Sequence, residues 1–253
     1  IPPGTPAGAI GPVINEYAIR RCMTDGKDAA SLRELGNRYR EGDGVEKDPS
    51  RAAELLSEAS DLGDAQAASS LGHMLMVGEG IPADRPDAEA QLRRAADAGI
   101  ATAMCNLGVL LSDTAPDESV SWFVRAAEAG SLRAVKNLAA AYSSGSGVPL
   151  DKGRAAEYYR RASDLGDADS MCVLASMLRN GDGVPVDKPG AAELYRRAAD
   201  LGDSEAQYDL AFMLDAGEGI PQDRAEAERL FRLSADQGDT DACLCLGGIL
   251  YER

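Results

Sequence analysis

The stretch SLRELGNRYREGDGVEKDPSRAAELLSEASDL, residues 31–62, decides the fold. Its first third places Leu32, Leu35 and Tyr39 at helical spacing, with Gly36 directly after Leu35. A glycine inside a helix costs about 1 kcal/mol against alanine, so Gly36 needs a packing reason. The close approach of a neighbouring helix supplies it. Gly42-Asp43-Gly44-Val45 then ends the helix, because two glycines permit left-handed backbone and the valine can fold back onto the core. Asp48 stands four residues before the small Ala52, where its carboxylate caps a second helix, and Pro49 takes the position a helix tolerates best. That helix runs to Gly63, a stop residue.

The same unit recurs. Leu35-Gly36 returns as Leu71-Gly72, Leu107-Gly108, Leu138-Ala139, Leu174-Ala175, Leu210-Ala211 and Leu246-Gly247, at spacings of 36, 36, 31, 36, 36 and 36 residues. A period in this range means stacked supersecondary units. Gly-x-Gly-Val/Ile repeats at Gly78, Gly145, Gly181 and Gly217. A lone Gly-x-Gly invites a phosphate-loop reading, whereas copies at repeat spacing are turn chemistry. Asp84, Asp151, Asp187 and Asp223 repeat the cap of Asp48, and one aspartate per unit is not a metal-ligand geometry. Asp64, Asp167, Asp203 and Asp239 follow the closing glycines and cap the next first helix.

This alternation resembles the Sel-one-like repeat (SLR) family, a branch of the tetratricopeptide-like α-solenoids. The resemblance rests on small-x3-Leu-Gly, Gly-x-Gly-Val/Ile, the capping aspartate, the paired alanines and the closing glycine. It implies an all-α, right-handed superhelical solenoid of stacked helix-turn-helix repeats, about six full units with half-repeats at the ends. The units run roughly over 29–64, 65–100, 101–131, 132–167, 168–203 and 204–239, with a partial unit at 240–253. Residues 13–253 form the solenoid, residues 13–24 reading as an isolated second helix, and residues 1–12 are a flexible linker.

Two departures stand out. The third unit replaces Gly-x-Gly-Val by Ser112-Asp113-Thr114-Ala115-Pro116, a shortened turn expected to change the local stacking angle, and it holds Trp122, the only tryptophan, as a core residue. The chain also stops inside a seventh first helix at Tyr251-Glu252-Arg253. Solenoids need polar caps, so this edge points to a fragment of a longer protein or to self-association through the unfinished repeat.

The formal charge of −16 opposes nucleic acid and anionic membrane surfaces, where affinity comes from neutralising phosphates with Lys and Arg. No apolar run approaches the 18 or so residues of a membrane span. Five cysteines (Cys22, Cys105, Cys172, Cys243, Cys245) form no disulfide framework, and no Asn-x-Ser/Thr acceptor occurs. A reducing, cytoplasmic location is expected. Bacterial periplasm or secretion is the alternative, since the chain begins at Ile1 and shows no native start.

The resemblance implies that the first helices line a concave wall. Positions five and two before, and two and five after, the repeat leucine then face a groove. Its N-terminal half carries Arg33, Arg40, Arg133 and Lys136, with Asn37, His73, Met76 and Val109 beside them. Its C-terminal half offers Tyr208, Phe212, Leu244 and Tyr251 beside Asp169, Glu205, Asp215 and Asp241. Aromatics and arginines dominate interface hot spots. The expected function is a non-enzymatic adaptor or scaffold that takes a protein or peptide partner, with an acidic stretch at the basic end and an apolar anchor at the aromatic end. The plain alternative is that these are solvated residues, with Tyr208 and Phe212 packing between repeats.

Catalysis needs a convergent cluster. His73 is the only histidine, and no Cys-x2-Cys or His-x3-His pair suits zinc. No cofactor is expected. The competing functions are a small-molecule-sensing or hydrolytic protein using Cys105, His73 or Cys172, and a repeat spacer of a larger enzyme.

Overall fold

A computed structural model of the protein describes residues 28–251, and the side chains through Ile249. The expected linker at 1–12, the helix at 13–24 and Cys22 lie outside the described residues, as does the side chain of Tyr251.

The described residues form thirteen α-helices and no strand, an all-α solenoid. Six repeats each supply a first and a second helix. These are α1 (Ala29–Glu41) and α2 (Pro49–Asp61), α3 (Ala65–Val77) and α4 (Arg85–Asp97), then α5 (Ala101–Leu111) and α6 (Pro116–Glu128). They continue as α7 (Leu132–Ser144) and α8 (Lys152–Asp164), α9 (Ala168–Asn180) and α10 (Lys188–Asp200), then α11 (Ser204–Ala216) and α12 (Arg224–Asp236). A further first helix, α13 (Thr240–Tyr251), follows. The chain divides into two compact units, one ending at Ser131 and the other beginning at Leu132. Within each, helices pack on their neighbours in chain order.

Local chemistry explains the helix ends. Asp48, Asp84, Asp151, Asp187 and Asp223 each accept from the backbone N–H three residues on, as do Asp64, Asp167 and Asp203 at first helices. Each cap satisfies a donor that the helix leaves orphaned. The Gly-x-Gly turns close through one more bond: the N–H of Asp48 donates to the carbonyl of Tyr39 at 2.8 Å, and Asp187 to Leu178 at 2.8 Å.

The two glycine signals have separate causes. A Cβ on Gly72 would lie 2.8 Å from Leu92 Cγ, so the helical glycine lets the second helix of its own repeat approach. The second turn glycine faces the preceding repeat. At Gly219, φ is +74° and a Cβ would come within 2.2 Å of Lys188 Cβ, at the start of α10. Only glycine meets both demands.

The third repeat solves its missing turn with a side chain. Arg85, first residue of α4, donates through Nη2 to the carbonyl of Leu110 and, at 3.2 Å, to Thr114 Oγ1. The second, fifth and sixth repeats seat a glycine on the equivalent residue; here a guanidinium reaches out instead. Trp122 belongs to the core, 7% exposed, with Arg125 over its ring at 4.1 Å and Nε1 donating to Glu118 at 3.2 Å.

Candidate functional site

The residue two before the repeat leucine reaches forward to the cap of the next first helix. Arg33 Nη1 pairs with Asp64 at 2.8 Å, and Lys136 Nζ with Asp167 at 2.9 Å. Cys172 Sγ lies 3.4 Å from Asp203 Oδ1. Each of these three contacts spans 31 residues. Where the cap is Ile100, the link becomes Ser69 Oγ to Thr102 Oγ1 at 3.4 Å. Lys136 also meets Asp169 at 2.8 Å, and its ammonium is held above the usual lysine range by the hydrogen bonds to Asp169 and Asp167 against burial. Burial pushes Asp167 up, but the Ser170 and Lys136 hydrogen bonds outweigh it and keep the carboxyl low.

A second contact repeats at 39 residues. Arg40, five after its leucine, grips Glu79 of the next Gly-Glu-Gly turn through Nε at 3.0 Å and Nη2 at 2.6 Å. Arg179 makes the same contact to Glu218, Nη2 at 2.5 Å. The equivalent residue in the second repeat is Met76, half-buried, which precedes the repeat without the turn. Arg40 Nη2 also lies 3.2 Å from His73 Nδ1. A guanidinium can only donate, so Nδ1 accepts.

The structure therefore places three of the four predicted basic residues in ion pairs between repeats. Arg33, Arg40 and Lys136 each meet an acid from a cap or a turn, positions that the four-per-helix pattern leaves out. Arg133 is exposed on α7, Asn37 is half-buried on α1, and Val109 is 38% exposed on α5. The carboxylate that Arg33 holds is the protein's own Asp64.

In the C-terminal unit, Tyr208 packs edge-on against Phe231 of its own repeat at 5.8 Å between ring centroids. Phe212 does not pack away: it is 42% exposed, with the Arg179 guanidinium 5.2 Å from its ring. Val173 (39%) and Leu244 (75%) are also exposed on α9 and α13. Asp215 and Arg224, equivalents of the Arg179 and Lys188 that seat the preceding turn, border a cleft of about 370 Å³ floored by Phe231.

One cluster escaped sequence reading. Asp209, directly before Leu210, receives the Tyr195 hydroxyl and lies 3.4 Å from Arg179 Nη1. Burial pushes its carboxyl above the ordinary aspartate value, outweighing Tyr195 and Arg179. Partial burial, then the fields of Asp209, Asp203, Asp169 and Asp239, also raise Glu205. The position holds Glu34, Ser70, Asn106, Asn137 and Val173 in other repeats, so periodicity carried no signal for it.

The groups considered for reaction chemistry do not converge. Cys105 is 1% exposed, and burial followed by Asp203 pushes the Cys172 thiol far above its usual value, leaving it a protonated donor. His73 faces Arg40. Among the described residues, no group of His, Cys, Asp and Glu could hold a metal, and no helix is long and apolar enough to cross a membrane.

The model of the Sel1 repeat matches residues 29–64, 65–100, 101–131, 133–167, 168–203 and 204–239. The crystal structure of c5321, a protective antigen present in uropathogenic Escherichia coli strains and displaying an SLR fold, is 27% identical with a TM-score of 0.87. The likeness covers 94% of this chain and 52% of that one, so the chain spans about half the antigen's length. A Sel1 repeat protein from Oxalobacter formigenes is also 27% identical, with a TM-score of 0.70 over 88% of this chain and 92% of its own. No curated protein matches the chain.

Proposed function

Because the chain belongs to the Sel1-repeat family, whose repeats are in general non-catalytic protein–protein interaction modules, we propose that it is an adaptor holding a protein or peptide partner against its first helices. The observation that carries this reading is Phe212. Its ring sits mid-helix on α11, flanked by α9 and α13, yet stays 42% exposed when a solenoid core is available to bury it. Large rigid side chains of this kind anchor interfaces at low entropic cost. The polar residues beside it are tied into ion pairs, which preorganises the surface.

Peptide display selection on the purified protein tests the proposal. Selected peptides should bind with a single site and lose affinity about tenfold or more with Phe212→Ala, a loss typical of an interface hot spot. Equal binding to Phe212→Ala and to the parent would remove Phe212 as the anchor. Failure to enrich any peptide or protein ligand would remove the adaptor reading itself.

A further inference from the structure

The two compact units differ in how their charges are spent. In the N-terminal unit, Arg33 and Arg40 are matched by Asp64 and Glu79. In the C-terminal unit the balance is negative. Asp169, Glu205 and Asp241 occupy the same position, five before the leucine, on α9, α11 and α13. Lys136 is engaged by Asp167 as well as Asp169, and Arg179 by Glu218 and Asp209. Among the described residues neither Glu205 nor Asp241 has a basic partner. The exposed apolar side chains of Val173 and Phe212 lie on the two helices that carry Asp169 and Glu205.

Apolar surface bordered by unneutralised carboxylates selects its partner by sign. Cationic flanks meet attraction on approach, and anionic flanks meet repulsion that Arg179, already doubly paired, does not relieve. We propose that this face of the C-terminal unit binds a basic peptide segment of another protein, an apolar side chain resting on Val173 and Phe212 and flanking lysines or arginines meeting Glu205 and Asp241. The inference rests on the adaptor reading and specifies its partner. It reverses the polarity that the arginine-bearing half suggests from sequence. Burial first, and then the crowding of neighbouring acids, raises the Glu205 carboxyl, and a cation placed there would relieve the second of these.

Fluorescence anisotropy with the full chain and three labelled peptides of equal length provides the test. One has a central leucine flanked by lysines, one the same leucine flanked by glutamates, and one lysines without the leucine. The first should bind at least about tenfold more tightly than either other, and more weakly as salt rises. Glu205→Gln with Asp241→Asn should abolish the preference for lysine flanks. Asp61→Asn with Asp164→Asn, the same change in net charge at exposed second-helix positions, should leave it intact. Circular dichroism melts confirm that each variant folds. Preference for glutamate flanks, or equal loss from both double variants, overturns the proposed basic segment while leaving the adaptor reading standing. If the three peptides bind alike or not at all while display selection yields other ligands, the basic segment is again refuted alone.

Discussion

Arg179 and Glu218 meet across a repeat boundary at 2.5 Å, the same step that joins Arg40 to Glu79 at 2.6 Å. The Arg179 hydrogen bond holds the Glu218 carboxyl below the usual range against burial. Both pairs are partly shielded and clamp a turn, alongside Lys188 Nζ to Glu218 at 3.2 Å and Ser50 Oγ to the Gly80 carbonyl at 2.6 Å. Such pairs are worth up to about 1 kcal/mol. A double-mutant cycle on Arg179→Ala and Glu218→Ala, read by urea unfolding, should return a coupling of about that size. Strict additivity would mean that the clamp contributes nothing to stability.

The turn glycines separate backbone strain from crowding. Gly202 has φ of +91° with nothing within 4 Å of a built Cβ, so Gly202→Ala should cost about 1 kcal/mol. Gly219 shares the left-handed backbone and would also drive its Cβ into Lys188. Gly219→Ala should lose about 2 kcal/mol more, the range of an overpacked site. Similar melting temperatures for the two variants would contradict the packing account.

Asp64 serves two purposes, capping α3 through the N–H of Ala67 and pairing with Arg33. Asp64→Asn keeps an acceptor for the cap, so it should destabilise only as much as Arg33→Ala. Asp64→Ala should cost about 1 kcal/mol beyond either, the usual worth of an N-cap. Thermal melts of the three variants decide the matter, and equal losses would assign everything to the ion pair.

The acids set a two-limbed pH profile. Asp209 and Glu205 are raised in the fold, so the native state takes up their protons before the unfolded chain does. Their contribution to stability therefore grows as pH falls from neutral through the raised values towards about 4, the ordinary range. Glu79, Glu218 and Asp167 are lowered and favour the fold above that range. Their contribution is lost as pH falls further through the depressed values. Urea midpoints measured from pH 7.5 to pH 3 should pass through a maximum, and Asp209→Asn should flatten the upper limb. An unchanged upper limb in that variant would place the titrating group elsewhere.

Much of the scaffold was legible because its signals are local. An aspartate three residues before the N–H it accepts, or a glycine where φ must be positive, announces itself within one turn of chain. Gly36 and Gly72 announced a close helix, and Leu56 and Leu92 occupy that place. Trp122 was read as core and is core. The candidate surface was less legible. Arg33, Arg40 and Lys136 look like a cationic wall when only first-helix positions are compared, because their acids sit in caps and turns of the next repeat. Asp209 was invisible to the pattern: it departs from its equivalents in other repeats, and a period reports only what recurs.

The amino-acid sequence by itself determined the repeat, its helix ends and the family, since these follow from hydrogen bonds and backbone angles within a few residues. Only the tertiary structure decided which charges are spent and which side chains remain open. Arg33 finds Asp64 after 31 residues and Arg179 finds Glu218 after 39, distances that close only once repeats have stacked. Folding of one repeat packs Tyr208 against Phe231, and stacking leaves Phe212 exposed beneath Arg179. Whether a residue supports the scaffold or offers itself to a partner depends on neighbours that only the fold supplies.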